Sequence, residues 1–345
     1  MSKILVTGGA GYIGSHTIIE LQKSGYDILS VDNYSNSSES TYNRIKRITG
    51  KEVLFEHLDL SNRKDTESFF EKHNDIDGVI HFAALKSVPD SVERPIEYYR
   101  NNNDSLLNVL EQVQKNAIQA TIFSSSCSVY GNLNSDQLPV VETTSWNEAE
   151  CPYANTKQMG EDFIRNFAKI CPQNFIALRY FNPVGAHISG LNGEMPSKVV
   201  NNLAPLITQA AAGLRDQLTV FGNDYDTRDG SCIRDYIHVS DIAEAHVKAM
   251  ELALSNRMKD NFDVINLGSG NGVTVFEAIQ AFENTTGVNV PYQIGARRPG
   301  DVEAIYSDCT KAENTLNWKC KYDINNMMES AWEWQQYLID QNMTI

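Results

Sequence analysis

The chain has 345 residues, 41% of them hydrophobic and 21% charged, with a formal net charge of −15. A broadly anionic surface argues against nucleic acid and anionic membranes as partners, and any phosphate-bearing ligand must meet locally placed arginines or helix N-termini. No apolar run approaches the roughly 20 residues that span a bilayer, and the N-terminus carries no secretion-signal pattern. Six cysteines at 127, 151, 171, 232, 309 and 320 lack metal-like or C-x-x-C spacing. They read as reduced, mostly packed thiols, and the expected compartment is cytoplasmic.

Apolar runs alternate with helical patterns through the first half. Residues 4–7, 28–32, 53–58, 79–82, 121–124 and 176–180 read as short buried strands. Amphipathic stretches such as 16–24 separate them, with Gly25 as a helix stop. Strand–helix alternation predicts an α/β fold, a doubly wound Rossmann-type parallel sheet covered on both faces. After Tyr180 the pattern loosens. Residues 182–235 are rich in Asn, Gly and Pro, with one clear helix over 199–212, and 263–267 reads as a further strand. The expected organisation is a nucleotide-binding domain over 1–180, a return segment to it near 235–268, and a smaller mixed α/β lobe over 181–345.

The first strand runs into Thr7-Gly8-Gly9-Ala10-Gly11-Tyr12-Ile13-Gly14. This pattern permits a tight turn, close approach of backbone to a pyrophosphate, and close helix–strand packing, with the helix N-terminus supplying N–H donors. Asp32 ends the next strand, close to the roughly 20-residue spacing at which an acid takes the adenosine ribose hydroxyls. Its charge repels a 2′-phosphate, so NAD is expected rather than NADP. Asp59, after the third strand, caps either the adenine edge or the following helix.

Tyr153 and Lys157 stand four apart behind Pro152, a residue suited to a first helical turn. That spacing places both on one helix face. A phenol of pKa near 10 must fall by roughly 3 units, about 4 kcal/mol, to act as a base near neutral pH. A neighbouring ammonium and a positive nicotinamide ring together could supply that shift. The pair alone is weak evidence, but the strand at 121–124 leads into Ser124-Ser125-Ser126-Cys127-Ser128-Val129-Tyr130-Gly131. Ligands of doubly wound sheets bind beyond the carboxyl ends of strands, so Ser126 can share a substrate alcohol's proton with Tyr153.

A glycine loop, Ser before V-Y-G, and Y-x-x-x-K together resemble the extended short-chain dehydrogenase/reductase superfamily. The segments VIHFAALKSV, IEYYRNN, SSSCSVYG, PYANTK, LRYFNPVGAH, FGNDYDTRDGSCIRDYIHVSDIAEAHV and RRPGDVEAIYSD are similar, in this order, to the UDP-glucose (UDP-galactose) 4-epimerase family. The resemblance covers nearly the whole chain. It implies Tyr153 as catalytic base, Lys157 as its partner and Ser126 at the reacting hydroxyl. It further implies that NAD is held by Gly8, Gly11, Tyr12, Ile13, Gly14, Asp32, Asn33, Asp59, Leu60, Phe82, Ala83, Lys86, Asn101, Tyr153, Lys157 and Tyr180. The UDP-sugar would meet Ser126, Tyr153, Asn182, Asn202, Leu203, Phe221, Arg234, Arg298, Asp301 and Ile305, with both arginines at the diphosphate and Asp301 at the uridine ribose. The resemblance also implies a homodimer formed through paired helices of the first lobe. No metal is implied, and His81, His187 and His246 are expected to be packed rather than catalytic.

Two departures stand out. Where the family carries an N-x-x-G-T run, Asn102 here leads to Ser105 and Leu106. The resemblance further implies that Ile305 borders the sugar's 2-substituent, a position where tyrosine restricts the family's site to plain hexoses and small residues admit N-acetylhexosamines. The expectation is UDP-glucose and UDP-galactose as the main pair, with slower use of the N-acetyl sugars. A nucleotide-sugar 4,6-dehydratase would need Thr-Asp-Glu before V-Y-G, where this chain has Ser126-Cys127-Ser128. A non-catalytic NAD-sensing protein on the same fold would typically lack the tyrosine or lysine.

Overall fold

A computed structural model describes residues 2–195, 200, 202–255, 257–298 and 302–343. The first half runs β1 (Lys3–Thr7), α1 (Tyr12–Lys23), β2 (Asp27–Asp32), α2 (Ser40–Thr49), β3 (Leu54–His57), α3 (Arg63–Lys72), β4 (Gly78–His81), α4 (Val88–Glu93), α5 (Pro95–Lys115), β5 (Ala120–Ser126), α6 (Pro152–Phe167) and β6 (Asn174–Tyr180). All six predicted strands are present, within two residues of the expected bounds. The second half continues with β7 (Asn182–Val184), α7 (Leu203–Ala211), β8 (Leu218–Phe221), β9 (Ile233–His238), α8 (Val239–Leu254), β10 (Phe262–Leu267), β11 (Gly272–Thr274), α9 (Val275–Thr286), β12 (Tyr292–Gly295), β13 (Ala304–Ile305), α10 (Thr310–Leu316) and α11 (Ile324–Asp340).

A seven-stranded sheet, ordered β10-β6-β5-β4-β1-β2-β3, forms the centre. Its six ladders are all parallel. The inner strands read as continuous apolar runs because they are covered on both faces, whereas β3, expected to be buried, lies at the sheet edge with Leu54 exposed. Alternation along β1 shows the double cover: Ile4 and Val6 pack with Ile18 and Ile19 of α1 and Ile242 and Met250 of α8. Leu5 faces the other way, into Phe69, Phe70, Val109 and Ile164. Each fully buried aliphatic side chain contributes about 1.5–3 kcal/mol.

The strand predicted at 263–267 is β10, and it returns to the edge of this sheet beside β6. A separate core gathers Val184, Ala204, Ile207, Val220, Tyr236, Phe282 and Met328 from β7, α7, β8, β9, α9 and α11. Strand β9 pairs with β7, β11 and β13. The helix predicted over 199–212 is shorter, Leu203–Ala211, and Val199 lies outside the described residues. Helix α3 is capped by Asn62, whose side chain accepts from the Lys64 and Asp65 amides. That removes the helix-capping alternative for Asp59, whose carboxylate instead accepts from the Ser61 amide and hydroxyl. Among the described residues no helix is long and apolar enough to cross a membrane.

Candidate active site

Parallel strands place their carboxyl ends along one edge, and six of those ends carry expected site residues. The glycine loop follows β1. Asp32 closes β2, Asp59 and Leu60 follow β3, and Phe82 and Ala83 follow β4. Ser126 and Tyr180 end β5 and β6, where they are register partners.

The glycine loop is built without room for side chains. A Cβ on Gly8 would lie 2.9 Å from the Ala83 nitrogen, and Gly8 adopts a φ of +67°. A Cβ on Gly14 would lie 2.4 Å from the Gly8 carbonyl oxygen. Gly11, which has no side chain to cap the first turn, starts α1, and Tyr12 and Ile13 follow it. Asp32 is buried, and its carboxylate accepts from the Ala10 amide at 3.0 Å, the Tyr34 amide at 2.9 Å and the Ser37 hydroxyl at 2.7 Å. A carboxylate offers about four acceptor sites, so one is left to take a ligand hydroxyl. Asn33 accepts from the Ser35 amide. The Tyr12 hydroxyl turns away from the loop and donates to Gly185 O at 2.5 Å.

The residues expected to be catalytic gather where α6 meets β5. Pro152 occupies the first turn of α6, and Cys151 caps it by accepting from the Ala154 amide. Lys157 is buried, and its ammonium donates to the Ser124 carbonyl at 2.7 Å. It also sits 5.0 Å from the Phe123 ring centroid and 5.8 Å from that of Tyr153. Burial lowers the Lys157 pKa to about 8, and the Glu161 carboxylate pulls it upward. The Tyr153 ring is partly exposed but its hydroxyl end lies inside. Burial, then Tyr180, push its pKa well above the ordinary phenol value, while Ser126 pulls it down. The protein's own groups thus favour the neutral phenol, with the Lys157 ammonium engaged at the Ser124 carbonyl, and the expected lowering needs the positive nicotinamide ring as well as the lysine. The Tyr180 hydroxyl is hydrogen-bonded to that of Ser124.

The expected sugar-nucleotide residues gather around β9. Arg234 is the register partner of Ile305, and Asn182 is that of Tyr236. Ile305 is buried against Val129, Tyr130, Val140 and Phe181. The Arg298 guanidinium lies 4.4 Å over the Phe221 ring centroid. Asn202 stands just before α7 and makes no side-chain capping bond; its side chain instead donates to Glu194 Oε1 at 2.8 Å. The same oxygen accepts from Lys86 at 2.9 Å. Asp301 lies outside the described residues. Asn101 donates to Asn102 Oδ1.

Several contributors escaped the sequence reading. Asn102 ties the Leu85 backbone to Thr156 of α6, fixing the segment that carries Lys86. Glu194 joins Lys86 to Asn202, two residues 116 apart in sequence that only the fold unites. Glu161, fully buried, pairs bidentately with Arg179 of β6 at 2.8 and 2.6 Å. Its signal was available: Tyr153, Lys157 and Glu161 recur every fourth residue on one helix face. The three histidines set aside are held by hydrogen bonds: His81 to Thr7, His187 to Ser189 and His246 to the Ile242 carbonyl. All six cysteines are free, and no cluster of three or more metal-ligating side chains occurs among the described residues.

A family described as "NAD dependent epimerase/dehydratase family" matches residues 4–268. The chain belongs to this epimerase/dehydratase family. Within it, the chain is 46% identical to a UDP-glucose 4-epimerase of Erwinia amylovora, over 96% of this chain and 97% of the relative. The fold is similar to that of a UDP-glucose 4-epimerase from Stenotrophomonas maltophila solved with NAD and formylated UDP-arabinopyranose. That pair has a TM-score of 0.94 and 43% identity, covering 99% of this chain and 100% of the other. It is also similar to a UDP-glucose 4-epimerase from Bifidobacterium longum in complex with NAD+ and UDP. There the TM-score is 0.91 and identity 44%, covering 97% and 98%.

Proposed function

We propose that this protein is an NAD-dependent isomerase that interconverts UDP-galactose and UDP-glucose by transient oxidation at carbon 4. The observation that carries this reading is the buried junction of α6 with the end of β5. It brings Tyr153, Lys157 and Ser126 to the carboxyl edge of the sheet, and Cys127 and Ser128 stand in the sequence where a dehydratase carries its carboxylates.

The glycine cradle, the uncapped start of α1 and the spare acceptor site on Asp32 fit a dinucleotide. Gly8, Gly11, Gly14, Asp32, Asp59, Phe82, Ala83 and Lys86 would hold it. NAD, when bound, supplies the hydride acceptor and donor for carbon 4. Tyr153 takes the proton from the sugar's 4-hydroxyl and later returns it, and Ser126 hydrogen-bonds the reacting oxygen. Lys157 fixes the strand end and places a positive charge beside Tyr153. Arg234 and Arg298 tether the diphosphate, so that the 4-keto sugar turns over without leaving and receives hydrogen on the opposite face. Residues 1–180, with the return segment near 235–268, would form the nucleotide lobe, and 181–345 the sugar-nucleotide lobe. Ile305, a buried residue of intermediate bulk, fits a main activity on plain hexoses with slower use of UDP-N-acetylhexosamines.

The exposed apolar residues Val92 on α4 and Ile96 and Leu107 on α5 support a homodimer. Ile96 and Leu107 stand about three turns apart on one helix face. Free cysteines fit a cytoplasmic enzyme of galactose metabolism.

Incubating the purified protein with UDP-galactose, without added NAD, and following the sugar by proton NMR tests the reading. UDP-glucose is the expected product, with the same final mixture reached from either sugar. No conversion even after adding NAD would overturn it.

A further inference from the structure

Ser128 stands two residues beyond Ser126. Ser126 starts a short 3-10 turn, Cys127–Tyr130, and its hydroxyl oxygen caps that turn. It accepts the Ser128 amide at 3.2 Å and the Ser128 hydroxyl at 3.0 Å. A serine hydroxyl has two acceptor lone pairs and one proton. Both acceptor positions are therefore taken by one residue, and the proton is left for the acceptors on the other side, the Tyr153 oxygen and the neighbouring Cys127 sulfur.

We propose that Ser128 is a positioning residue that fixes Ser126 as a hydrogen-bond donor toward Tyr153 and the reacting oxygen of the sugar. This rests on the reading of the α6–β5 junction as an epimerase centre. A donor is what the chemistry needs there. The Tyr153 oxygen must be negative to accept the proton of the 4-hydroxyl, and the sugar oxygen gains negative charge as that proton leaves. A Ser126 free to rotate could present its lone pairs to either oxygen, disfavouring both ionised states. The groups around Tyr153 make this donor matter. Burial first, then Tyr180 of β6, Cys127 and Cys151, press toward the neutral phenol, Lys157 is engaged at the Ser124 carbonyl, and Ser126 favours ionisation. The backbone amide of Ser128 alone occupies one lone pair, so it is the Ser128 hydroxyl that closes the second.

Ser128→Ala and Ser128→Thr in the NAD-loaded enzyme separate this role from a structural one. Three measurements are needed: kcat and KM for UDP-galactose, the pH dependence of kcat, and the ionisation of Tyr153. The last is read by ultraviolet difference titration against Tyr153→Phe in each background. Ser128→Ala should raise the Tyr153 ionisation and the acid limb of kcat by about one pH unit, lowering kcat at neutral pH roughly tenfold with KM unchanged. Ser128→Thr, which keeps a hydroxyl on the same atom, should restore both. The proposal is overturned by a Ser128→Ala titration that matches the unaltered protein, by an effect confined to KM, or by a threonine variant that behaves like alanine. Wild-type protein that does not turn over UDP-galactose would sink the epimerase reading alone, and the Tyr153 titration would still decide the role of Ser128.

Discussion

Lys157 Nζ donates to the Ser124 carbonyl at 2.7 Å, two residues before Ser126 on the same strand end. The lysine thus joins the helix that carries Tyr153 to the strand that carries Ser126. Lys157→Met keeps the stem and removes both the charge and this tie. The expected result is a fall in kcat of roughly 10²–10⁴, the scale of positioned proton-transfer machinery. Steady-state kinetics with urea unfolding checks this: activity within twofold of the unaltered protein would contradict the assignment.

Beneath that tie lies a buried ion pair. Glu161 accepts from Arg179 and from the Ser125 hydroxyl, and the Arg179 guanidinium also donates to the Tyr130 hydroxyl at 3.0 Å. Removing one partner leaves a buried charge uncompensated, at a cost of about 3–5 kcal/mol. Glu161→Leu and Arg179→Met should each destabilise by that order. The double variant should lose less than the sum, because it leaves no unpaired charge. Additive losses in a double-mutant cycle would show that the pair contributes little as a pair.

Gly160 sits between Lys157 and Glu161 on α6, and a Cβ there would lie 2.6 Å from Phe123 Cζ and 3.2 Å from Leu106 Cδ2. Alanine would raise helix propensity by about 1 kcal/mol. Phe123 is a rigid ring only 4% exposed, so overpacking at about 1–3 kcal/mol should win. Gly160→Ala is expected to lower the thermal midpoint and kcat together, since pushing α6 off β5 lengthens the Lys157 bond. A raised midpoint would mean that propensity wins and that the close approach is not needed.

What the sequence made legible follows from period and spacing. The central sheet was readable because runs such as Ile4-Leu5-Val6 are buried on both faces. Tyr153 and Lys157 were readable because a four-residue step fixes a shared helix face. The parts that escaped have no such signature. Strand β7 is three residues with a proline inside, and β13 is two, so neither shows a period. Asp59 and Asn62 are both good caps, and only the start of α3 decides between them. The tie from the Lys157 ammonium to the Ser124 carbonyl has no sequence signature either, because a lysine four residues away in sequence says nothing about what its ammonium bonds. Glu194 meets Lys86 and Asn202 only after two distant segments converge.

Three buried histidines link α1 to the loop after β7 and to the β9–α8 junction. His16 and His187 rings lie 6.4 Å apart, and His238 shares a hydrogen bond with Ser330 of α11. Burial lowers the His16 pKa to about 3, with His187 and His238 adding to the effect. Burial likewise lowers His187 and His238 to about 4, helped by Lys23 for the first and by His187 for the second. An unfolded chain protonates its histidines near pH 6.5. From there down to about pH 4 the unfolded state binds protons that the native state refuses. Each imidazole then removes up to about 1.4 kcal/mol of stability per pH unit, a contribution fully present only above pH 6.5 or so. Asp241, raised to about 6 by burial, opposes one of the three across part of that window. The urea midpoint should therefore fall as the pH is lowered from about 7 to about 5, with net proton uptake on unfolding. A flat midpoint, or NMR titration of these imidazoles near 6.5 in the native protein, would contradict it. Because His16 lies on the helix that begins at the glycine loop, the same acid loss should loosen NAD retention before global unfolding, measurable as cofactor released on dialysis at about pH 5.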